Sequence, residues 1–126
     1  MGKRLDTTIG NAEYDNLIAG VFPAATTFMV TLSAEQGVVK RGTVLAGTAA
    51  AATVMAANKT PFAVLADETD TTNGAEAAIA YRTGHFIKNG LIVANGYTLS
   101  AADIETLRGK GILISEGVDP QYVDED

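Results

Sequence analysis

His85 is the side chain of this sequence best suited to acid–base catalysis, because imidazole exchanges protons near neutral pH. It is the only histidine among the 126 residues, so a Ser-His-Asp relay would have to pass through it. However, no serine occupies a G-x-S-x-G turn, and His85 falls in an alternating, strand-like segment. The pattern therefore favours a structural or surface histidine over a catalytic one.

A cluster of acids, Asp67, Glu68 and Asp70, could bind a metal or supply a pair of catalytic carboxylates. Its spacing does not match an EF-hand loop, which needs acids at alternate positions and a distant glutamate. Nothing near it in the sequence resembles an aromatic platform for a sugar ring. We therefore predict a turn loop whose Asp and Thr side chains bond to their own backbone.

Phosphate-binding motifs are incomplete. Residues 109–111 (GKG) lack the rest of a P-loop, and no G-x-G-x-x-G follows a strand. The sequence thus predicts no catalytic residue, no cofactor and no metal, which favours a binding or structural protein over an enzyme.

The overall charge narrows the class of partner. The formal net charge is −6 and no basic cluster is present, which disfavours nucleic-acid binding because phosphate backbones repel an acidic surface. Two basic residues near the start are followed by no apolar segment, so a signal peptide is not expected. No apolar run reaches membrane-spanning length. We expect a protein that binds neither nucleic acid nor membrane.

Runs of β-branched and apolar residues predict the strands that must position these groups. The predicted strands are 26–32, 38–46 with a bend at Gly42, 62–66 and 77–81, with a third short strand or bulge behind the last. The alanine-rich segment 47–58 is interpreted as a loop with a short strand near 53–55. Residues 91–94 are predicted to form a buried strand.

One helix is expected near the C-terminus. Ser100 can cap it and Asp103 completes a capping-box pattern, while Leu99 can pack on Ile104 as a hydrophobic staple. The helix is expected to end at Gly109 or Gly111, before a last strand at 112–114. Residues 119–126 are predicted to be an acidic, disordered tail.

The first 25 residues differ from the rest, because Gly10, Gly20 and Pro23 exclude a helical period. Two interpretations stay open. One is a frayed terminus. The other is an arm that becomes ordered on a partner, with its contacts made through Tyr14, Leu17, Ile18, Val21 and Phe22.

Three segments together point to a family: Gly42–Ala46 (GTVLA), Ala63–Thr72 (AVLADETDTT) and Tyr81–Phe86 (YRTGHF). In this order and spacing they resemble the head decoration proteins of tailed bacteriophages, the family typified by the lambda head decoration protein. The resemblance covers roughly residues 17–114. The alanine-rich insert at 49–57 and the acidic tail depart from the family type.

The resemblance implies a mainly β (α+β) fold, a compact small β-barrel or β-tulip-like domain at 26–118 with one short C-terminal helix. It implies an extended N-terminal arm at 1–25 that binds the capsid. The protein would be a homotrimer at three-fold sites on the exterior of the expanded head, with the major capsid protein as its partner. It would stabilise the head against internal DNA pressure, after assembly in the host cytoplasm.

Two other functions are kept open. A β-rich virion or tail module could recognise a carbohydrate or another protein, and a capsid-free ligand or a monomeric state would favour it. An enzyme is the third hypothesis, which a concave site around His85 and the acids at 67–70 would revive.

Overall fold

The computed structural model describes residues 17–20 and 23–115 of the chain. Within these ranges a single α-helix, α1 (Ala101–Gly109), and a 3-10 turn (Lys88–Gly90) accompany a set of β-strands. In chain order the strands are β1 (Ile18–Gly20), β2 (Thr26–Leu32), β3 (Val38–Val39), β4 (Val44–Thr48), β5 (Ala51–Val54), β6 (Pro61–Leu65), β7 (Thr69–Asp70), β8 (Glu76–Ile87) and β9 (Ile112–Ser115).

Five of these strands form a closed barrel in the order β8–β2–β5–β4–β6, and β6 pairs back onto β8. The β2–β5 contact is parallel, whereas the other four are antiparallel. Strand β8 can close the ring because it pairs with β2 through Ile79 and with β6 through Ala80 and Tyr81. A mainly β fold with a closed barrel and a short helix confirms the predicted fold class.

Alternation along the barrel strands separates two apolar cores, because successive side chains point to opposite faces of a strand. In β4, Leu45 belongs to the inner core, while Val44 and Ala46 belong to an outer one. The inner core consists of Val30, Leu32, Val39, Leu45, Ala52, Ala63, Leu65, Ala78 and Ala80. Its alanines suit the narrow interior of a barrel with few strands.

The outer core lies between the barrel wall and the C-terminal part of the chain. It consists of Leu17, Val44, Ala46, Met55, Val64, Phe86, Leu99, Leu107 and Ile112. We call this set the outer cluster. It attaches α1, β9 and the segment before α1 to one side of the barrel.

Strand β8 is continuous, so the prediction of a strand ending at residue 81 with a separate short strand or bulge behind it is wrong. Gly84 allows the strand to continue. Its φ is +154°, and a Cβ there would lie 2.8 Å from Cζ of the Phe86 ring. From Gly84 onward the strand changes partners and pairs with β9 in parallel and with β1 in antiparallel orientation. The barrel strand thus extends into the outer layer.

The predicted strand at 38–46 is in fact two strands, β3 and β4, because the chain turns between them at Gly42 (φ +96°). A Cβ at this position would lie 2.7 Å from the carbonyl oxygen of Gly90, so a side chain does not fit there. The predicted bend at Gly42 is confirmed. Strand β3 pairs instead with β7 in a separate two-stranded sheet.

The alanine-rich segment 47–58 is more regular than predicted. Strand β4 continues to Thr48, and β5 returns antiparallel beside it, with Thr48 paired to Ala51. The short strand predicted near 53–55 exists, but it begins earlier and ends at Val54. Small side chains suit it because Ala52 lies inside the narrow barrel.

Residues 91–94 do not form the buried strand predicted from the sequence. Ile92 makes one bridge, to Thr43, and its side chain is 40% exposed. Its N–H donates to the Gly42 carbonyl at 2.9 Å, and its carbonyl accepts from the Val44 N–H at 2.8 Å. Because β4 is already flanked by β5 and β6, this segment has no open edge along which a longer ladder could form.

The C-terminal elements agree with the sequence. Ser100 Oγ accepts from the Asp103 N–H at 3.1 Å, and the Asp103 carboxylate accepts from the Ser100 N–H at 3.0 Å, which confirms the capping box. Leu99 is buried in the outer cluster and Ile104 packs against the same cluster. Helix α1 ends at Gly109, and β9 follows as the predicted last strand.

Candidate functional site

His85 holds two strands of the outer layer together. Its Nε2 atom forms a hydrogen bond with Ser115 Oγ, and its register partners are Leu113 of β9 and Gly20 of β1. The residue is half-buried. The side chain links the last residue of β9 to the barrel strand, which fits the structural role predicted for it.

The acidic loop, residues 67–74, is held by hydrogen bonds within itself. Thr69 Oγ1 donates to the Asp67 carbonyl and the Thr72 N–H donates to the Asp70 carboxylate, each at 2.9 Å. Hydrogen bonds from Thr72 lower the pKa of Asp70, because they stabilise the charged carboxylate. The prediction of a turn loop whose side chains bond to its own backbone is confirmed.

Metal ligation and membrane insertion can be considered for residues 17–20 and 23–115. Within these ranges no group of three or more His, Cys, Asp or Glu residues is placed to hold a metal ion. None of the helices in the same ranges is long and apolar enough to cross a membrane.

The two ends of the described chain meet at Ile87, the last residue of β8. The Ile87 N–H donates to the Leu17 carbonyl at 2.6 Å, and Ser115 is the register partner of Ile87 on β9. Residues 1–16 and 116–126 therefore join the domain at one place, which we call the exit edge.

A groove of about 260 Å³ lies next to the exit edge, in the segment between β8 and α1. Leu91, Val93 and Tyr97 give it an apolar wall continuous with the outer cluster, and Lys88 adds a cation. His85 and the acids at 67–70 do not line it. The full lining is Lys88, Asn89, Leu91, Val93, Tyr97, Thr98 and Leu99.

Helix α1 fixes Tyr97 in the groove wall. The Tyr97 hydroxyl donates to the Asp103 carboxylate, which also accepts from the Ser100 N–H. Burial acts to raise the pKa of Asp103, but the hydrogen bonds from Tyr97 and Ser100 outweigh it and lower the pKa. The bond to Asp103 in turn raises the pKa of Tyr97, because it holds the phenolic proton. The capping box therefore also orients the groove wall.

The five residues predicted to contact a capsid occupy different places. Leu17 is 3% exposed and lies in the outer cluster, and Ile18 packs against that cluster. Strand β1, which the sequence assigned to the arm, pairs with β8. Tyr14, Val21 and Phe22 lie outside the described residues. Leu17 is thus part of the domain's own core in this structure and is not exposed to a partner.

Sequence reasoning missed the groove and its aromatic wall. Tyr97 stands between the Asn95–Gly96 turn and the Ser100 cap, so a short segment fixed at both ends holds it in place. An aromatic residue between a turn and a helix cap is a usable signal for such a wall. The pairing of Leu17 with Ile87 had no comparable signal, because it joins distant parts of the chain.

The closed barrel, the outer cluster and the exit edge define a class of molecule: a small β-barrel domain with both terminal segments attached at one place. Residues 6–112 match the family model described as bacteriophage lambda head decoration protein D. The chain belongs to this head decoration family. It is a structural viral protein that decorates the phage capsid, and the family implies a place on the capsid exterior. No curated protein matches the chain.

Proposed function

We propose that the chain forms a homotrimer that binds three-fold sites on the exterior of the expanded phage head. There it stabilises the head against the pressure of packaged DNA, with the major capsid protein as its partner. Family membership supports capsid binding. The observation that carries the detailed arrangement is the exit edge, because it gathers both terminal segments at Ile87.

The N-terminal arm is the proposed capsid-binding element. Leu17 and Ile18 hold its base on the domain, since both pack in or against the outer cluster. Tyr14, Val21 and Phe22 then contact the capsid protein. The 16 residues before Leu17 can span roughly 55 Å when extended. An extended segment can add to the edge of a partner's sheet, which gains main-chain hydrogen bonds and pockets for alternate side chains.

Trimerisation strengthens such weak contacts. Once one arm of a trimer is bound, the other two bind at a high effective concentration, so overall affinity exceeds that of a single arm. Three arms spaced around a three-fold site also connect neighbouring capsomers. The trimer acts as a clamp for this reason.

Stabilisation of the head follows from linkage. A ligand that binds the expanded lattice more tightly than the unexpanded or ruptured one shifts the equilibrium toward the expanded form by its difference in binding free energy. The contacts are non-covalent throughout, so the gain disappears when the protein is removed.

The charge of the chain suits a place outside the DNA-filled shell. A formal net charge of −6 disfavours contact with phosphate backbones. We accordingly propose that the protein binds neither nucleic acid nor membrane, and that it assembles onto heads in the host cytoplasm.

The test compares expanded, undecorated heads with unexpanded procapsids of the same phage. Co-sedimentation should show binding to expanded heads only, and decorated heads should rupture at a higher temperature. Equal binding to both forms, or no binding to expanded heads, would overturn the proposal.

Deletion of residues 1–16 tests the arm. The truncated protein should keep the wild-type unfolding transition, because Leu17 and β1 remain, but bind expanded heads more weakly. Unchanged head binding would place the capsid contact elsewhere on the domain.

The groove favours a second candidate, a β-rich virion or tail module that binds a carbohydrate or a peptide. Tyr97 offers a ring fixed by Asp103, and stacking on aromatic rings is common in ligand sites. A Tyr97→Ala variant that loses a capsid-free ligand but keeps head binding would support it.

A further inference from the structure

Two large apolar side chains lie side by side on the outside of the barrel. Among the described residues, the exposed large apolar side chains are Met29, Val38, Ile79 and Ile92. Met29 is 60% exposed and Ile79 is 38% exposed. They are direct register partners on the adjacent strands β2 and β8. Cβ atoms of such partners lie about 5 Å apart, so the two side chains form one patch.

The positions around this patch are uncharged. Thr27 and Thr31 flank Met29 on β2, and Ala77 lies beside Ile79 on β8, all of them exposed and on the same outward face. We call these five residues the β2–β8 face. The face continues toward the alanine-rich turn, because the Thr31 N–H donates to the Ala49 carbonyl at 2.7 Å.

This face is opposite in character to the rest of the barrel wall. The outward residues of β4 and β6, such as Val44 and Val64, are fully buried under the outer cluster. Met29 and Ile79 have the same outward orientation but stay exposed. An apolar, uncharged sheet face of this kind is typical of a protein–protein contact.

The position of the face relative to the exit edge indicates which partner covers it. Ile87 lies eight residues beyond Ile79 on the same strand, which corresponds to about 26 Å. If the terminal segments reach the shell, as in the proposed function, the β2–β8 face lies well away from the arm's attachment. The surface left to meet it is a neighbouring copy in the decoration layer.

We propose that the β2–β8 face is the contact through which copies of this chain associate with one another, with Met29 and Ile79 at its centre. This inference rests on the proposed function for its choice of partner. Acidic molecules approach each other most easily where no carboxylate is brought into the contact, and the face supplies such a surface. Around a three-fold axis, the flexible Met29 side chains of three copies can pack against one another and against Ile79.

The size of the face sets its role. A stable interface buries about 800 Å² on each partner, more than five small or medium side chains provide. The face is therefore the central, desolvated part of a larger contact, which the uncharged turn around Ala49 extends. A carbohydrate is a poorer occupant, because the face offers mainly methyl and methylene groups and few hydrogen-bonding groups.

The experiment measures the mass of the full chain under native conditions for the wild type, Met29→Glu and Ile79→Glu. The matched control is Val38→Glu, at an apolar position that is 49% exposed on the separate β3–β7 sheet. The wild type and the control should be trimers. Each variant of the face should dissociate at a concentration at least about tenfold higher than the wild type, with an unchanged far-UV spectrum and unfolding transition.

Three results would overturn the inference: variants of the face that remain trimers, equal dissociation of Val38→Glu, or a wild type that is monomeric at all concentrations. The failure of the proposed function looks different. A wild-type trimer that dissociates on Met29→Glu but does not bind expanded heads leaves the interface intact and refutes head binding. A Met29→Glu trimer that loses head binding instead makes the face a capsid contact.

Discussion

The side-chain oxygen of Gln36 accepts a hydrogen bond from the backbone N–H of Val54 at 2.8 Å. The amide nitrogen of Gln36 donates to the Ser33 carbonyl at 2.8 Å and to the Ala52 carbonyl at 3.1 Å. These bonds lie at the parallel seam of the barrel, where β2 and β5 share a single register pair, Leu32 and Ala52. One side chain thus supplies hydrogen bonds that a longer ladder would otherwise provide.

Replacing Gln36 by Leu should destabilise the domain by about 1–3 kcal/mol, because a donor and two acceptors at the seam lose their partner. The measurement is the free energy of unfolding in urea. Gln36→Glu is the matched comparison. It keeps an acceptor for the Val54 N–H but sets a carboxylate against two carbonyl oxygens.

The two carbonyls should raise the pKa of the carboxyl group introduced by Gln36→Glu in the folded state, since they repel its charged form. Its protonated form is then favoured on folding, so the Gln36→Glu defect should be smallest in acid and grow as pH rises past about 4.3, the ordinary glutamate value. A defect independent of pH would show that Gln36 does not face these carbonyls.

Gly84→Ala should destabilise the protein by about 1–3 kcal/mol through overpacking. The added Cβ would lie 2.8 Å from Cζ and 3.0 Å from Cε2 of Phe86, and Phe86 is held by Tyr81, whose ring centroid is 5.3 Å away. Thermal unfolding measures the effect. Gly109→Ala is the control, because a Cβ at that position would have nothing within 4 Å and alanine favours helix. Equal melting temperatures for the two variants would contradict the packing around Gly84.

Asp103→Asn should remove a pH-dependent part of the stability. The folded-state pKa of Asp103 is lowered by Tyr97 and Ser100 in spite of burial, so its contribution is present above the unfolded value of about 3.9 and is lost as pH falls through the folded pKa. The unfolding free energies of wild type and variant should therefore converge in acid. Glu105→Gln, in an exposed pair with Arg108 at 3.2 Å, should change stability far less at every pH. A constant gap between wild type and Asp103→Asn would refute the role of the charge.

Leu17→Ala should destabilise the free protein by about 2–3 kcal/mol, at the lower end of the range for a buried leucine because Leu17 lies near the start of the ordered strand. Deletion of residues 1–16 should leave urea unfolding unchanged. This pair of measurements separates the base of the arm from the rest of it. If Leu17→Ala is neutral while the deletion is destabilising, the core does not begin at Leu17.

Patterns local in sequence predicted much of the fold. Strand β2 and the capped helix α1 were found as they are, because alternation and the Ser100–Asp103 spacing act within a few residues. The single strand β8 and the irregular segment 91–94 were not, because distant partners decide both. Phe86 must cover Gly84 for β8 to continue, and Ile92 finds β4 already paired on both sides.

The candidate site was less predictable than the fold. The self-bonded acidic loop could be foreseen from its Asp and Thr residues. The exit edge could not, because Leu17, Ile87 and Ser115 come from three parts of the chain, and no short-range pattern links them. Gln36 was predicted as an ordinary turn residue for the same reason.

The exit edge has a mechanical consequence. A pull on the arm from a swelling shell would enter the domain at Leu17 and load the short β1–β8 ladder before the long β2–β8 ladder behind it. Strand β1 would then act as a fuse that yields before the barrel does. The force that one subunit can bear is therefore set by three residues of strand and one buried leucine, and not by the strength of the barrel.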